Sequence, residues 1–118
     1  MKRIVSFLLL FVFLLTACAT NSYQTIDTNK ALELIDDGAV IIDVRTVEEF
    51  NREHIPNAVN IPLNDIETVG YDKATTLIIY CQTGIRSKEA VQKLVNLGYT
   101  SLYNLDGGLL NWGGSLEE

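Results

Sequence analysis

The chain has 118 residues, 47% of them hydrophobic and 20% charged, which suits one domain with a single core and is too short for two. Nine basic residues stand against fifteen acidic ones, a net charge of −6, which excludes the basic patch that nucleic-acid binding requires. With two cysteines and one histidine, neither a disulfide framework nor a metal site is expected.

The first element in chain order is a targeting segment. Lys2 and Arg3 precede the mainly apolar IVSFLLLFVFLL, and polar Thr16, Thr20, Asn21 and Ser22 close that run early. A membrane span needs about 20 apolar residues. A positive start, a short apolar stretch and small residues before a cut site are instead the marks of a secretory signal. Leu15-Thr16-Ala17-Cys18 resembles the bacterial lipobox, in which the cysteine thiol takes up diacylglycerol as a thioether and becomes the new N-terminus. The resemblance implies a signal peptide over residues 1–17, lipid on Cys18 and a tether over 18–24. It also implies a domain over 25–118, held to the cell membrane on its periplasmic or extracytoplasmic face. Acyl chains anchor at about 0.8 kcal/mol per buried methylene.

Thr28 is expected to cap a helix bearing Ala31, Leu32, Leu34 and Ile35, with Gly38 as its stop. AVIIDV at 39–44 is short, apolar and rich in β-branched residues, as a strand buried on both faces should be. Thr46 followed by Glu49 has the form of a capping box opening a short helix through Asn51. AVNIP at 58–62 is a weaker strand. TTLIIYC at 75–81 is a second buried strand, and Ala90, Val91, Leu94 and Val95 recur at helical spacing between Ser87 and Leu97. SLYNL at 101–105 is a last short strand, followed by a short helix or turn in GGLLNWGG. Strands alternating with helices predict an α/β fold, a small parallel sheet with helices on both faces. In such sheets ligands bind beyond the carboxyl ends of the strands, where Cys81 lies.

If Cys18 carries lipid, Cys81 is the one free thiol of an exported protein, a setting in which cysteines ordinarily pair. Its surroundings supply a reason. A thiolate is favoured near helix N-termini and cations, and the loop Cys81-Gln82-Thr83-Gly84-Ile85-Arg86 joins a strand to a helix. Backbone N–H groups there can converge into an anion-binding nest. Gly84 permits the turn, and Arg86 offers a permanently charged donor fork. Ser87 is a candidate cap for the helix, and Lys88 a candidate for steering anions to the loop.

The four residues between Cys81 and Arg86 resemble the loop of the rhodanese family of sulfurtransferases; the tyrosine and dual-specificity phosphatases have five. Two more segments carry the resemblance: IIDVRTVEEFNREHIPNAVNIPL, similar to the family's first signature, and LDGGLLNW, similar to its C-terminal one. The family usually has Gly before His54 and near position 57, where this chain has Glu53 and Asn57; asparagine tolerates left-handed backbone better than most residues.

The resemblance implies a single-domain sulfurtransferase in which Cys81 takes a sulfur atom from a thiosulfate-like anion as a persulfide. It then passes that sulfur to cyanide, a thiol or a protein. Gln82, Thr83, Gly84, Ile85 and Arg86 would hold the substrate. No cofactor or metal is needed, and a monomer is expected. Two rivals share the residues: a sulfur- or redox-sensing module of the same fold without turnover, and a small phosphatase or arsenate reductase. Retention of the cysteine argues against the first, and the short loop with no obvious general-acid aspartate near it argues against the second.

Other polar residues have plainer readings. Arg45 and Glu49, four apart, are expected to pair as strand turns into helix, with Asp43 beside them as structural support. His54, the only histidine, is expected to be structural rather than a base for Cys81. Trp112 is expected in the core.

Overall fold

The computed structural model describes residues 22–118, so the signal segment, Cys18 and most of the tether lie outside the described residues. Five strands, β1 (Gln24–Ile26), β2 (Val40–Asp43), β3 (Val59–Asn60), β4 (Leu77–Tyr80) and β5 (Leu102–Leu105), form one parallel sheet in the order β1-β5-β4-β2-β3. Between them run α1 (Thr28–Asp36), α2 (Val47–Arg52), a 3₁₀ segment (Leu63–Thr68), α3 (Ile85–Asn96) and, last, α4 (Gly108–Asn111). The expected α/β class is therefore observed.

β4 is central because it is apolar on both sides. Period-2 alternation sends Leu77, Ile79 and the following Cys81 to one face of the sheet, and Ile78 and Tyr80 to the other. The first face packs against Ala90, Val91, Leu94 and Val95 of α3 and Ile66 of the 3₁₀ segment. The second meets Ala31 of α1, Ile55 and Leu109. Cys81 is thus anchored in the core at the end of the central strand, and only 1% of it is exposed.

The helix termini follow local chemistry, with two corrections. Asp27, not Thr28, caps α1: its extended backbone lets Oδ1 accept from the Lys30 amide at 2.9 Å. Thr28 instead bridges to the C-terminal segment, its hydroxyl donating to the Asn111 carbonyl and accepting from the Gly113 amide. Gly84, not Ser87, caps α3; Ser87 is buried inside its first turn. The capping box of Thr46 and Glu49 is formed as expected. Asn57 is the one non-glycine with positive φ among the described residues, at 65°. Glu53 stands in extended backbone, φ −167°, which any residue adopts, so the glycine usual in the family is not required there.

β1 and the 3₁₀ segment had no sequence signal. β1 is three residues long, and only Ile26 is buried; it exists because β5 offers a free edge, pairing Gln24 with Tyr103 through Ile26 with Leu105. Trp112 is only half-buried, packed on the second face with its Nε1 donating to the Ser115 carbonyl.

Candidate active site around Cys81

The loop after β4 wraps its backbone around the sulfur of Cys81. Gly84 sits in left-handed backbone at φ 95°, which turns the chain back so that its own amide donates to Cys81 Sγ at 3.1 Å. The Ser87 amide donates at 3.4 Å. Ser87 Oγ lies 3.5 Å from Sγ, accepting from the thiol and able to donate once the sulfur is ionised. Burial pushes the Cys81 thiol up, but the Ser87 hydroxyl and the backbone amides of Ser87, Thr83 and Gly84 outweigh it and hold the pKa below its ordinary value. The N-terminus of the twelve-residue α3 opens onto the same point and favours negative charge there. The Ile85 and Arg86 amides, in the first turn of α3, have no protein acceptor among the described residues and remain available to an anion.

The back of the loop rests on the start of α4. Leu109 and Leu110 amides donate to the Cys81 and Gln82 carbonyls at 2.9 and 3.1 Å. Gly108 passes so close that a Cβ there would meet the Cys81 carbonyl oxygen. Gly108 is therefore needed for contact with the loop as well as for the turn, whereas a Cβ on Gly107 would meet the Asn111 side chain.

The charged neighbours are partnered differently from the sequence expectation. Arg45 does not pair with Glu49. It curls back on Asp43, with Nε donating to both carboxylate oxygens at 3.1 Å and Nη2 to Oδ2 at 2.8 Å, and both residues are buried. Its remaining donors reach the Glu53 carbonyl and Gln82 Oε1. Glu49 instead reaches across to Arg86, thirty-seven residues away, in a two-pronged pair at 2.7 and 3.0 Å. The hydrogen bond from Arg86 holds the Glu49 carboxyl well below the usual range, at about 2, despite its partial burial. The folded state therefore gains stability from this carboxylate at neutral pH, and loses it as pH falls from the ordinary carboxylate range toward 2. Arg86 enters the site with its charge already balanced.

The other expected site residues divide clearly. Gln82 belongs to the loop and turns its side chain to Arg45, while Thr83 and Ile85 are exposed on the loop, Ile85 at 76%. Lys88 is exposed on α3 and makes no ion pair among the described residues. His54 is stacked on Phe50 at 3.8 Å, its Nδ1 bonded to the Phe50 carbonyl and its backbone bridged to Glu117. One ring face, Nδ1 and the backbone are thus engaged away from the cradle. The contribution of the Ser87 hydroxyl was missed because a serine after a loop arginine reads equally well as a cap. Among the described residues no group of three potential metal ligands comes together.

Ser87→Ala should raise the Cys81 pKa by removing one donor to the ionised sulfur. Alkylation by iodoacetamide at neutral pH is expected to slow by about 10- to 100-fold, since a hydrogen bond to an ionised group is worth about 1.5–3 kcal/mol. An unchanged rate-against-pH midpoint would remove the hydroxyl from the account.

Comparison with known proteins agrees with this geometry. The family model described as Rhodanese-like domain matches residues 27–115. Rhodanese-like domain-containing protein 17 of Arabidopsis thaliana is 34% identical, covering 91% of this chain and 83% of that protein. Thiosulfate sulfurtransferase GlpE of Coxiella burnetii is 32% identical over 76% of this chain and 87% of its own length. The structure of the human single-domain sulfurtransferase TSTD1 superposes with a TM-score of 0.71 at 28% identity, covering 77% of this chain and 97% of that one. A thiol cradled by backbone amides at the end of the central parallel strand, on a chain matched over nearly all of its described length, makes this protein a member of the rhodanese-like family.

Proposed function

We propose that this protein is an exported, lipid-anchored sulfurtransferase that carries sulfane sulfur as a persulfide on Cys81. The observation that carries the reading is the cradle: two backbone amides within 3.4 Å of Sγ, a serine hydroxyl beside it and a helix N-terminus behind them. The Cys81 thiolate attacks the outer sulfur of a thiosulfate-like donor. The sulfur–sulfur bond of the donor breaks, sulfite leaves with the electron pair, and Cys81–S–S⁻ remains. The free amides at the start of α3 and the helix dipole stabilise the negative charge on the carried sulfur. An acceptor nucleophile then takes that sulfur and Cys81 departs as thiolate, so the cycle closes with no redox cofactor.

Arg86 contributes a donor fork that is already engaged by Glu49, so donor capture rests first on backbone amides. The cradle supports the sulfurtransferase reading over a phosphatase, since the bowl closes around sulfur with four intervening residues and offers no carboxylic acid of its own to protonate a leaving oxygen.

Mass spectrometry of the full-length protein in detergent after thiosulfate treatment tests the reading. One added sulfur on Cys81, discharged by cyanide as thiocyanate, is the expected result; no adduct on folded protein would leave the sensing module as the better account. The anchor is supported by the segment ending at Cys18. Metabolic labelling with a palmitate analogue should be lost in Cys18→Ser, and equal labelling in that variant would remove the lipid.

A further inference from the structure

A cleft of about 420 Å³ opens beside the cradle, lined by Arg45, Glu49, Arg52, Glu53 and Gln82. Its size is that of a small-molecule site. All five walls are polar and four are charged, but their charges are not equivalent. Arg45 is spent on Asp43, and Glu49 on Arg86. Arg52 and Glu53 are exposed, and neither forms an ion pair among the described residues. The cleft therefore presents one unclaimed guanidinium and one unclaimed carboxylate, on consecutive residues where α2 ends. Gln82 completes the wall; it follows Cys81 directly, and its Oε1 is taken by Arg45, which leaves the amide nitrogen as a donor. One side of the cleft is thus the cradle loop itself.

The geometry points to an acceptor subsite for a small thiol that carries both an ammonium and a carboxylate, cysteine being the simplest. The inference rests on the persulfide reading of Cys81 and names the class of acceptor for that site. The acceptor carboxylate meets Arg52, its ammonium meets Glu53, and its thiolate faces the cradle. Because Cys81 is almost fully buried, the acceptor must come to the sulfur, and the persulfide brings the transferable atom about 2 Å further out. The acceptor thiolate attacks that outer sulfur and the bond to Cys81 Sγ breaks. Cys81 leaves as thiolate, the acceptor departs as a persulfide, and no net oxidation occurs. Cyanide, which has neither charged group to place, gains nothing from the cleft.

The test compares four acceptors on thiosulfate-loaded full-length protein: cysteine, cysteamine without the carboxylate, 3-mercaptopropionate without the ammonium, and 2-mercaptoethanol without either. Discharge rates are expressed per thiolate, so that differences in thiol acidity do not intrude. Cysteine should exceed each singly charged thiol by about fivefold in kcat/KM, as a partly exposed ion pair of about 1 kcal/mol predicts. Arg52→Gln should erase the advantage over cysteamine and keep that over 3-mercaptopropionate; Glu53→Gln should do the reverse. Equal rates for all four thiols on the wild-type protein, or preferences unchanged in both variants, would overturn the subsite.

A binding measurement that needs no sulfur transfer separates this inference from the reading beneath it. Serine titrated into the unloaded wild-type protein should shift the amide resonances of Arg52, Glu53 and Gln82 more than ethanolamine at equal concentration. If thiosulfate fails to load Cys81, the sulfurtransferase reading falls while this titration still decides the cleft. If cyanide discharges a loaded protein but serine and ethanolamine act alike, the subsite alone is wrong.

Discussion

Cys81→Ser is expected to abolish sulfur transfer, with a loss of more than about a thousandfold in kcat, the scale seen when a nucleophile is removed from a site whose binding groups remain. A serine hydroxyl is not ionised at neutral pH and forms no persulfide, so thiosulfate should leave no sulfur adduct on the variant. The fold should survive. The replaced atom is buried, but it sits among the Gly84 and Ser87 amides and the Ser87 hydroxyl, all of which can bond an oxygen as well as a sulfur. The cost is therefore expected to be about 1 kcal/mol. Circular dichroism and thermal melting establish that the variant is folded, and thiocyanate release measures the loss. Activity near that of the parent in a folded variant would end the persulfide mechanism.

Asp43→Ala is expected to be the most damaging single change to the fold. Asp43 is fully buried, Arg45 is 2% exposed, and the carboxylate accepts from the Arg45 amide as well as from its guanidinium. Removing it leaves a guanidinium charge in the core with only the Glu53 carbonyl and Gln82 amide oxygen as hydrogen-bond acceptors and the Tyr80 ring 5.9 Å away. Breaking a buried pair on one side costs about 3–5 kcal/mol, a large share of the ~5–15 kcal/mol that holds a domain together. Urea denaturation at neutral pH should show that loss in the midpoint with little change in slope. The pairing also makes a second, opposite expectation: replacing both partners, as in Asp43→Leu with Arg45→Met, should destabilise less than Asp43→Ala alone, since no charge is then left unpaired. A loss under about 1 kcal/mol for the single variant would mean that water reaches Arg45 and that the pair is not the support described.

The two variants act at different levels of the same assembly. In the proposed mechanism the Cys81 sulfur is the reacting atom. Asp43 acts through Arg45 on the Gln82 side chain and on the backbone at Glu53, two of the five walls of the cleft beside the loop. Loss of Asp43 should therefore disturb the cleft as well as the fold, whereas loss of the thiol should leave the cleft intact.

What the sequence by itself determined is what local pattern controls. The apolar runs of β2, up to Asp43, and of β4 announce strands buried on both faces. The spacing of Ala90, Val91, Leu94 and Val95 announces the helix behind Cys81, and Thr46 with Glu49 announces its capping box. The place of Cys81, at a strand end with a glycine-bearing loop and a helix to follow, was equally legible because each of those signals is only a few residues long. What the tertiary structure alone decided is which partner each group takes. Glu49 had a cation four residues behind it and chose Arg86 across the fold, because Arg45 was already consumed by Asp43 within the core. β1 has too little apolar pattern to declare itself and forms only where β5 presents an open edge. Ser87 bonds a sulfur rather than capping a helix because the left-handed turn at Gly84 carries the chain around Cys81. Periodicity and capping act over single turns and can be read along the chain; pairing of charges and closure of edges act between segments that only the finished sheet brings together.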